Sequence, residues 1–132
     1  MSLTATSRSI PATLRQDVLV RGRFHVATDE PESLGGEDTA PAPHELFPAA
    51  LAACVSTTLL TYARTKGWEL GEVVVDVDYE NTETPRRFDV RIRVGAPLSD
   101  EQLRRLEKVA AACPVRRGIE SGIVFAERID AA

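Results

Sequence analysis

Between residues 73 and 94 the chain alternates between apolar and polar side chains twice over. Val73, Val75, Val77 and Tyr79 are interleaved with Val74, Asp76, Asp78 and Glu80, and Phe88, Val90, Ile92 and Val94 with Asp89, Arg91 and Arg93. A period of two predicts two half-buried strands, joined by the loop around Asn81–Pro85. Their polar faces set carboxylates near guanidiniums, which suits an antiparallel pair. Further upstream, apolar residues fall at 14, 18, 19 and 20, then Phe24 and Val26 alternate with Arg23 and His25. With Arg21-Gly22 as a tight turn, these two runs predict a hairpin. Residues 1–12 carry no pattern and are expected to be flexible. The stretch 29–42 is rich in Gly, Pro and acidic residues and reads as a solvated loop.

The segment Leu46–Ala63 has no charged residue. A helix opening at Pro43, where a missing N–H costs nothing, and closing near Lys66 before Gly67 accounts for it. Pro48 is expected to remove one backbone bond and kink the first turn. Leu46, Phe47, Leu51, Val55, Leu59, Leu60 and Tyr62 cover nearly every azimuth, so this helix must be enclosed on all sides. It is short for a membrane span and contains Pro48, Ser56 and three threonines, which favours a buried helix of a soluble protein. A single sheet in so short a chain covers one side of it; the other sides predict a homodimer with this helix at its centre. Downstream, Ser99 with Gln102 forms a capping box opening a second helix, whose apolar face runs through Leu103, Leu106, Val109, Ala110 and Cys113. Pro114 breaks or restarts it, Gly118 and Gly122 bracket a turn, and Ile123–Ile129 is expected to be a last strand. The order ββ-α-ββ-α-β predicts an α+β fold with an antiparallel sheet.

The chain has 132 residues, one domain's worth, of which 43% are hydrophobic and 27% charged, too apolar for disorder. Sixteen Lys and Arg against 20 Asp and Glu give a net charge of -4, which argues against nucleic acid or a membrane surface as the main partner. The N-terminal stretch MSLTATSRSIPATLRQD lacks the apolar core of a secretory signal, so the cytoplasm is the expected compartment. Thiols are kept reduced or redox-active there. The two cysteines, Cys54 and Cys113, and the two histidines, His25 and His44, are far apart with no metal-binding spacing, so no zinc site and no cofactor are expected.

The chemistry therefore rests on the cysteines. Cys54 lies mid-helix on a stripe with Phe47, Ala50, Leu51, Thr57 and Thr58. A lone helical cysteine is most often a small buried hydrophobe, and that reading stays open. Cys113 precedes Pro114, with Arg116 and Arg117 close behind; at the start of a new helix, free N–H groups and two cations would lower its pKa. If the two thiols meet in the core, they have the outline of a peroxidatic and resolving couple. One thiolate attacks an O–O bond and becomes a sulfenic acid, and the other condenses with it to a disulfide.

The stretch PESLGGEDTAPAPHELFPAALAACVSTTL from Pro31, followed by the later A-A-C-P-V, closely resembles the OsmC/Ohr family of thiol-dependent hydroperoxide reductases. The proline, the Leu-Gly-Gly and the P-x-E-L-x-x-A-A-L-A-A-C run fall in family order, and the resemblance extends over roughly residues 13–130. It implies a single OsmC-like domain over residues 1–132 and an intertwined homodimer with antiparallel sheets wrapped around two central helices. It further implies Cys54 as the peroxidatic thiol and Cys113 as the resolving one. The hydroperoxide-resistance branch carries a catalytic Glu ten residues before the first Cys; that position here is His44, and Glu45 follows. That branch also has an Arg in a Gly-rich turn after the first strand, about where Arg21 and Arg23 flank a turn, although the surrounding motif is absent. The likeness is thus to the broader OsmC-like members.

Helix geometry adds an independent constraint. Ten residues of helix rise ~15 Å and nine turn about 900°, so a group at His44 or Glu45 acts on a cysteine only across a dimer or through a kink at Pro48. A mid-helix Cys54 gains little from the helix dipole and needs a cation, for which Arg23, then Arg21, are the candidates. The resulting expectation is a cofactor-free thiol peroxidase. Cys54 attacks the peroxide, Arg23 steadies the thiolate, His44 or Glu45 orients the arginine or the leaving oxygen, and Cys113 closes the disulfide. An apolar wall of Phe47, Leu51 and Val55 would suit an organic hydroperoxide, and the resemblance implies a dithiol reductant such as a lipoyl protein. Two other readings stay open: a non-catalytic dimeric ligand-binding or stress-associated protein, and a structural dimer with inert thiols. His25 is expected at the surface, and Trp68 in packing.

Overall fold

In the computed structural model, which describes residues 2–131, the alternation at 73–94 becomes an antiparallel pair, β4 (Val73–Glu80) and β5 (Arg87–Val94). The register sets Val75 opposite Ile92 and Tyr79 opposite Phe88, and the last two rings stack with centroids 4.6 Å apart. On the polar face Arg93 reaches diagonally to Asp76 at 2.8 Å, the charge pairing that the sequence predicts. Three earlier strands, β1 (Ala5–Ser9), β2 (Gln16–Val20) and β3 (Phe24–Thr28), form a separate antiparallel sheet in the order β1-β2-β3. The structure is thus α+β with antiparallel sheets. It divides into two compact units, one ending at Phe47 and one beginning at Pro48, each described in its own right.

In the first unit the predicted hairpin is β2–β3, with Val20 opposite Phe24. Its turn holds both Arg21 and Gly22 at positive φ, of which only the glycine adopts that conformation without strain. Residues 5–9, expected to be flexible, are instead a strand. All five side chains of β1 are exposed, so the strand is held by its backbone ladder to β2 and leaves no apolar signature to read. The loop 29–42 closes on Asp29, which is fully buried. Its carboxylate accepts hydrogen bonds from the Thr39 hydroxyl (2.7 Å), the Thr39 N–H (3.1 Å) and the Glu30 N–H (2.8 Å). The Thr39 hydroxyl first, then these N–H groups, hold its pKa below the ordinary carboxylate value against the opposing effect of burial. Gly36 is fixed by the same fold: a Cβ there would sit 1.9 Å from the Glu30 carbonyl oxygen.

Helix α1 (Leu46–Lys66) follows a short 3-10 turn, Pro43–Glu45, and runs unbroken through Pro48. Pro48 does not interrupt the helix, because it falls in the first turn, where N–H groups lack partners within the helix. In the second unit α1 buries Leu51, Val55, Leu59 and Ala63, a strip at four-residue spacing. With Leu70, Leu106 of α2 (Asp100–Ala110) and Cys113 these make the core, against which β4 and β5 pack Val73, Val75, Val77, Phe88 and Ile92. The capping box is present as predicted, with the Gln102 N–H donating to Ser99 Oγ at 3.1 Å and the Ser99 N–H to Gln102 Oε1 at 2.9 Å. Pro114 restarts a helix, α3 (Pro114–Ser121), and Gly118 lies inside it, not at a turn.

Of two further expectations one holds and one is corrected. As the sequence predicts for a single copy of the chain, α1 is buried along one strip only, and Leu60 remains 43% exposed. Ile123–Ile129 form no strand: the segment is irregular and exposed, with Val124 and Ile129 almost fully so. A strand needs a partner ladder, and these residues pair with none among the described residues. The length and composition of α1 also meet those of a membrane span, but its buried strip is the spine of a protein core.

Candidate active site

Cys54 and Cys113 are brought together. Cys54 sits two turns into the second unit's part of α1, one residue before the buried Val55, and is half-buried. Cys113 caps the N-terminus of α3 and is fully buried. The two thiols are free, and Cys54 is near enough to act on the Cys113 thiol. Four-residue packing explains the meeting: α2 lays Leu106, Val109 and Ala110 against the core that α1 supplies, and the chain then turns sharply at Pro114 with Cys113 at the corner.

The sequence predicts a lowered pKa for Cys113, and the structure overturns this. Burial pushes the thiol up, and the neighbouring Cys54 adds to the effect. The N–H groups of Arg116 and Val115 at the start of α3 pull the other way and lose. The two cations do not rescue it: Arg116 pairs with Glu120 at 3.4 Å, and Arg117 is exposed. Cys113 therefore holds its proton more tightly than a free thiol does.

Cys54 opens on a hollow of about 730 Å³, together with Thr57, Thr58, Thr61, Tyr62 and Thr65 of α1 and Val109, Ala112 and Pro114. The Thr61 hydroxyl donates to the Thr57 carbonyl (2.8 Å) and the Thr65 hydroxyl to the Thr61 carbonyl (3.1 Å). Hydroxyls engaged with their own helix leave the γ-methyls to the outside. This hollow is consequently more apolar than four threonines would indicate. Its lower half, Thr61, Tyr62 and Thr65, was missed in the sequence, although the spacing 54, 58, 61, 65 is a helical stripe legible in retrospect.

Leu51 and Val55, expected beside Cys54, are core residues that line a different cavity of about 420 Å³, with Phe88, Val90 and Ile92 of β5. They turn toward the sheet, whereas Cys54 turns toward α2 and α3. The remaining candidates belong to the first unit. Phe47 is partly exposed in the first turn of α1. Arg23 and Arg21 are exposed and lie over the Phe24 ring, with guanidinium carbons 5.1 and 5.2 Å from its centroid. Glu45 Oε1 accepts the Ala42 N–H at 2.8 Å and so braces the entry to α1; His44 is exposed in the same 3-10 turn. His25 is at the surface, paired to Asp17 at 2.9 Å, and Trp68 packs against the core, as expected. Among the described residues no cluster of His, Cys, Asp and Glu gathers to hold a metal.

Solved structures share this fold. A protein of Psychrobacter arcticus, described as a candidate osmotic stress induced and detoxification response protein, superposes with a TM-score of 0.74 at 23% identity, over 89% of this chain and 87% of its own. An OsmC-like protein of Mycoplasma pneumoniae gives a TM-score of 0.74 at 16% identity, over 91% and 88%. A candidate organic hydroperoxide resistance protein of Vibrio cholerae, solved with captopril bound in one of its active sites, gives 0.62 at 28% identity, over 89% and 83%. No curated protein matches the chain. The family model described as OsmC-like protein matches residues 35–128, a span that holds both cysteines and the hollow on which Cys54 opens. This chain is therefore a member of the OsmC-like protein family.

Proposed function

We propose that this protein is a cysteine-based hydroperoxide reductase acting on organic hydroperoxides. The observation that carries this reading is the adjacency of two unlike thiols, Cys54 open to an apolar hollow and Cys113 buried and protonated beside it. Cys54 as thiolate attacks the peroxide; its sulfur gains the oxygen, the O–O bond breaks, and the alkoxide leaves as an alcohol after taking a proton. Cys113 then attacks the Cys54 sulfenic acid, the S–S bond forms and water leaves. A nearby, buried resolving thiol limits further oxidation of Cys54. The methyl-lined hollow favours an alkyl or acyl peroxide over hydrogen peroxide. Relatives named for organic hydroperoxide resistance support the same class.

Arg23 is assigned to the thiolate, with His44 or Glu45, acting across a homodimer, holding the arginine or the leaving oxygen. Support for a dimer comes from the open faces of α1 and from the unpaired apolar segment containing Ile123, Val124, Phe125 and Ile129. The compartment assigned is the cytoplasm, where a dithiol such as a lipoyl protein reopens the disulfide; no cofactor, nucleic acid or membrane is invoked.

The test is to add one equivalent of cumene hydroperoxide to the reduced protein and count free thiols. Rapid loss of both, abolished in Cys54→Ser, is the expected result; thiols that stay reduced for hours would overturn it. A second reading, a dimeric binding protein without turnover, is favoured by one observation: Glu45, beside the position where the hydroperoxide-resistance branch has its acid, is engaged with the backbone of Ala42. It predicts that hydroperoxide leaves the thiols untouched.

A further inference from the structure

Acidic residues outnumber basic ones in this chain by 20 to 16, yet one cleft of the second unit reverses the balance. Lys66 at the end of α1 and Arg104, Arg105 and Lys108 on α2 line a cleft of about 670 Å³ together with Tyr62 and Trp68; Glu101 is the one carboxylate among its lining residues. The aromatic pair gathers the cations. Tyr62 and Trp68 meet edge to face with centroids 5.6 Å apart, and Lys66 Nζ and the Arg105 guanidinium carbon each lie 5.7 Å from the Tyr62 ring centroid. Arg105 Nε also donates to the Tyr62 hydroxyl at 2.9 Å. Among the described residues none of the four cleft cations pairs with a carboxylate, and what sets them apart from the chain's other cations is that four of them line one cleft with a single carboxylate. Positive charge concentrated and left unneutralised seeks an anionic partner.

That partner is a polypeptide surface, not a small anion. All four cations are exposed, long and flexible, and they are spread over two helices, so they match several carboxylates displayed together. Tyr62 lines both this cleft and the hollow on which Cys54 opens. Along α1 it is roughly 12 Å of helix rise from Cys54. We infer that the cleft docks an acidic segment of the protein whose dithiol returns electrons to Cys54 and Cys113. The inference rests on the peroxidase reading for its purpose. In the step served, a thiolate of the docked dithiol attacks Cys54 Sγ and Cys113 leaves, taking a proton. The second thiol of the dithiol then attacks its own mixed disulfide, releasing Cys54, and the dithiol departs as a disulfide.

The experiment starts from the full chain oxidised with diamide, so that the disulfide does not depend on peroxide. It is reduced by a Cys-x-x-Cys peptide flanked by glutamates, by its lysine-flanked twin and by dithiothreitol. At low ionic strength the acidic peptide is expected to react about tenfold faster than the basic one, and the gap should close as salt approaches ~0.5 M. Arg104→Glu with Lys108→Glu should invert the preference and leave dithiothreitol unchanged. Equal rates for the two peptides, or a variant that slows dithiothreitol as much as the acidic peptide, overturn the inference. A cysteine-free acidic peptide followed by fluorescence anisotropy on the reduced protein gives a second reading. Salt-sensitive binding lost in the double variant supports docking, and no binding refutes it. Thiols that ignore cumene hydroperoxide would remove the peroxidase reading while leaving both docking measurements valid.

Discussion

Helix α1 presents two faces that differ in what they are for. One carries Leu51, Val55, Leu59 and Ala63, none more than 3% exposed, locked into the core beneath β4 and β5. The other, about a quarter-turn away, carries Cys54, Thr57, Thr58, Thr61 and Tyr62 along an open hollow. The first face is apolar by its aliphatic side chains, and on the second Thr61 and Thr65 turn their hydroxyls back to the helix. Composition alone does not distinguish them. What separates them is the neighbour each meets: a sheet that fills one side, and on the other the corner between α2 and α3 that delivers Cys113 but leaves space.

If the faces are independent, activity and stability separate by mutation. Cys54→Ser should slow hydroperoxide-dependent thiol loss by about three orders of magnitude or more, with little change in urea unfolding. A large loss of stability in that variant would mean the reactive face is also structural. Leu59→Ala should do the reverse. Removing a fully buried leucine should lower unfolding free energy by about 2–5 kcal/mol, while protein that remains folded keeps its thiol reactivity.

The third test sharpens the boundary between the faces, where Cys113 lies. Its pKa is raised in the folded state, so the folded protein holds that proton more tightly than the unfolded chain. The associated stability is complete below the unfolded thiol value of about 8.5 and declines as pH rises through the folded value. Denaturation midpoints measured upward from pH 8 should therefore fall, and Cys113→Ser should flatten that fall. The smallest effect is expected from Thr61→Val, which keeps the methyl lining and removes a hydroxyl bonded within the helix. Stability should move by no more than about 0.5 kcal/mol, and the cumene hydroperoxide rate by less than about twofold. A tenfold loss would show that the hydroxyl faces the substrate.

Legibility followed how strongly each element writes its environment into side chains. Strands β4 and β5 each bury one face, so Val75, Ile92 and their neighbours alternate and the antiparallel pair forms as read. The Ser99–Gln102 box marks the start of α2 because those two side chains themselves make the cap. Strand β1 buries nothing and was invisible; Ile123–Ile129 has a strand's pattern and no strand to pair with. In the candidate site, the place of both cysteines in family-like motifs was legible, whereas the sign of the Cys113 shift was not. Nearby cations and N–H groups can be counted in a sequence, but burial, which outweighs them, cannot. The basic cleft was hidden for a related reason: a net charge of -4 averages over Lys66, Arg104, Arg105 and Lys108, which only the packing of α1 against α2 collects.

The sequence by itself determined the periodic elements, the stop at Gly67, the apolar character of α1 and the placement of two thiols in family-like motifs. These depend on local spacing, which a chain carries whether or not it is folded. Tertiary structure alone decided that Cys54 and Cys113 are neighbours, that one is open and the other sealed, and which face of α1 meets solvent. Those are relations between residues remote along the chain, fixed by the packing of three helices on one sheet, and no local pattern encodes them.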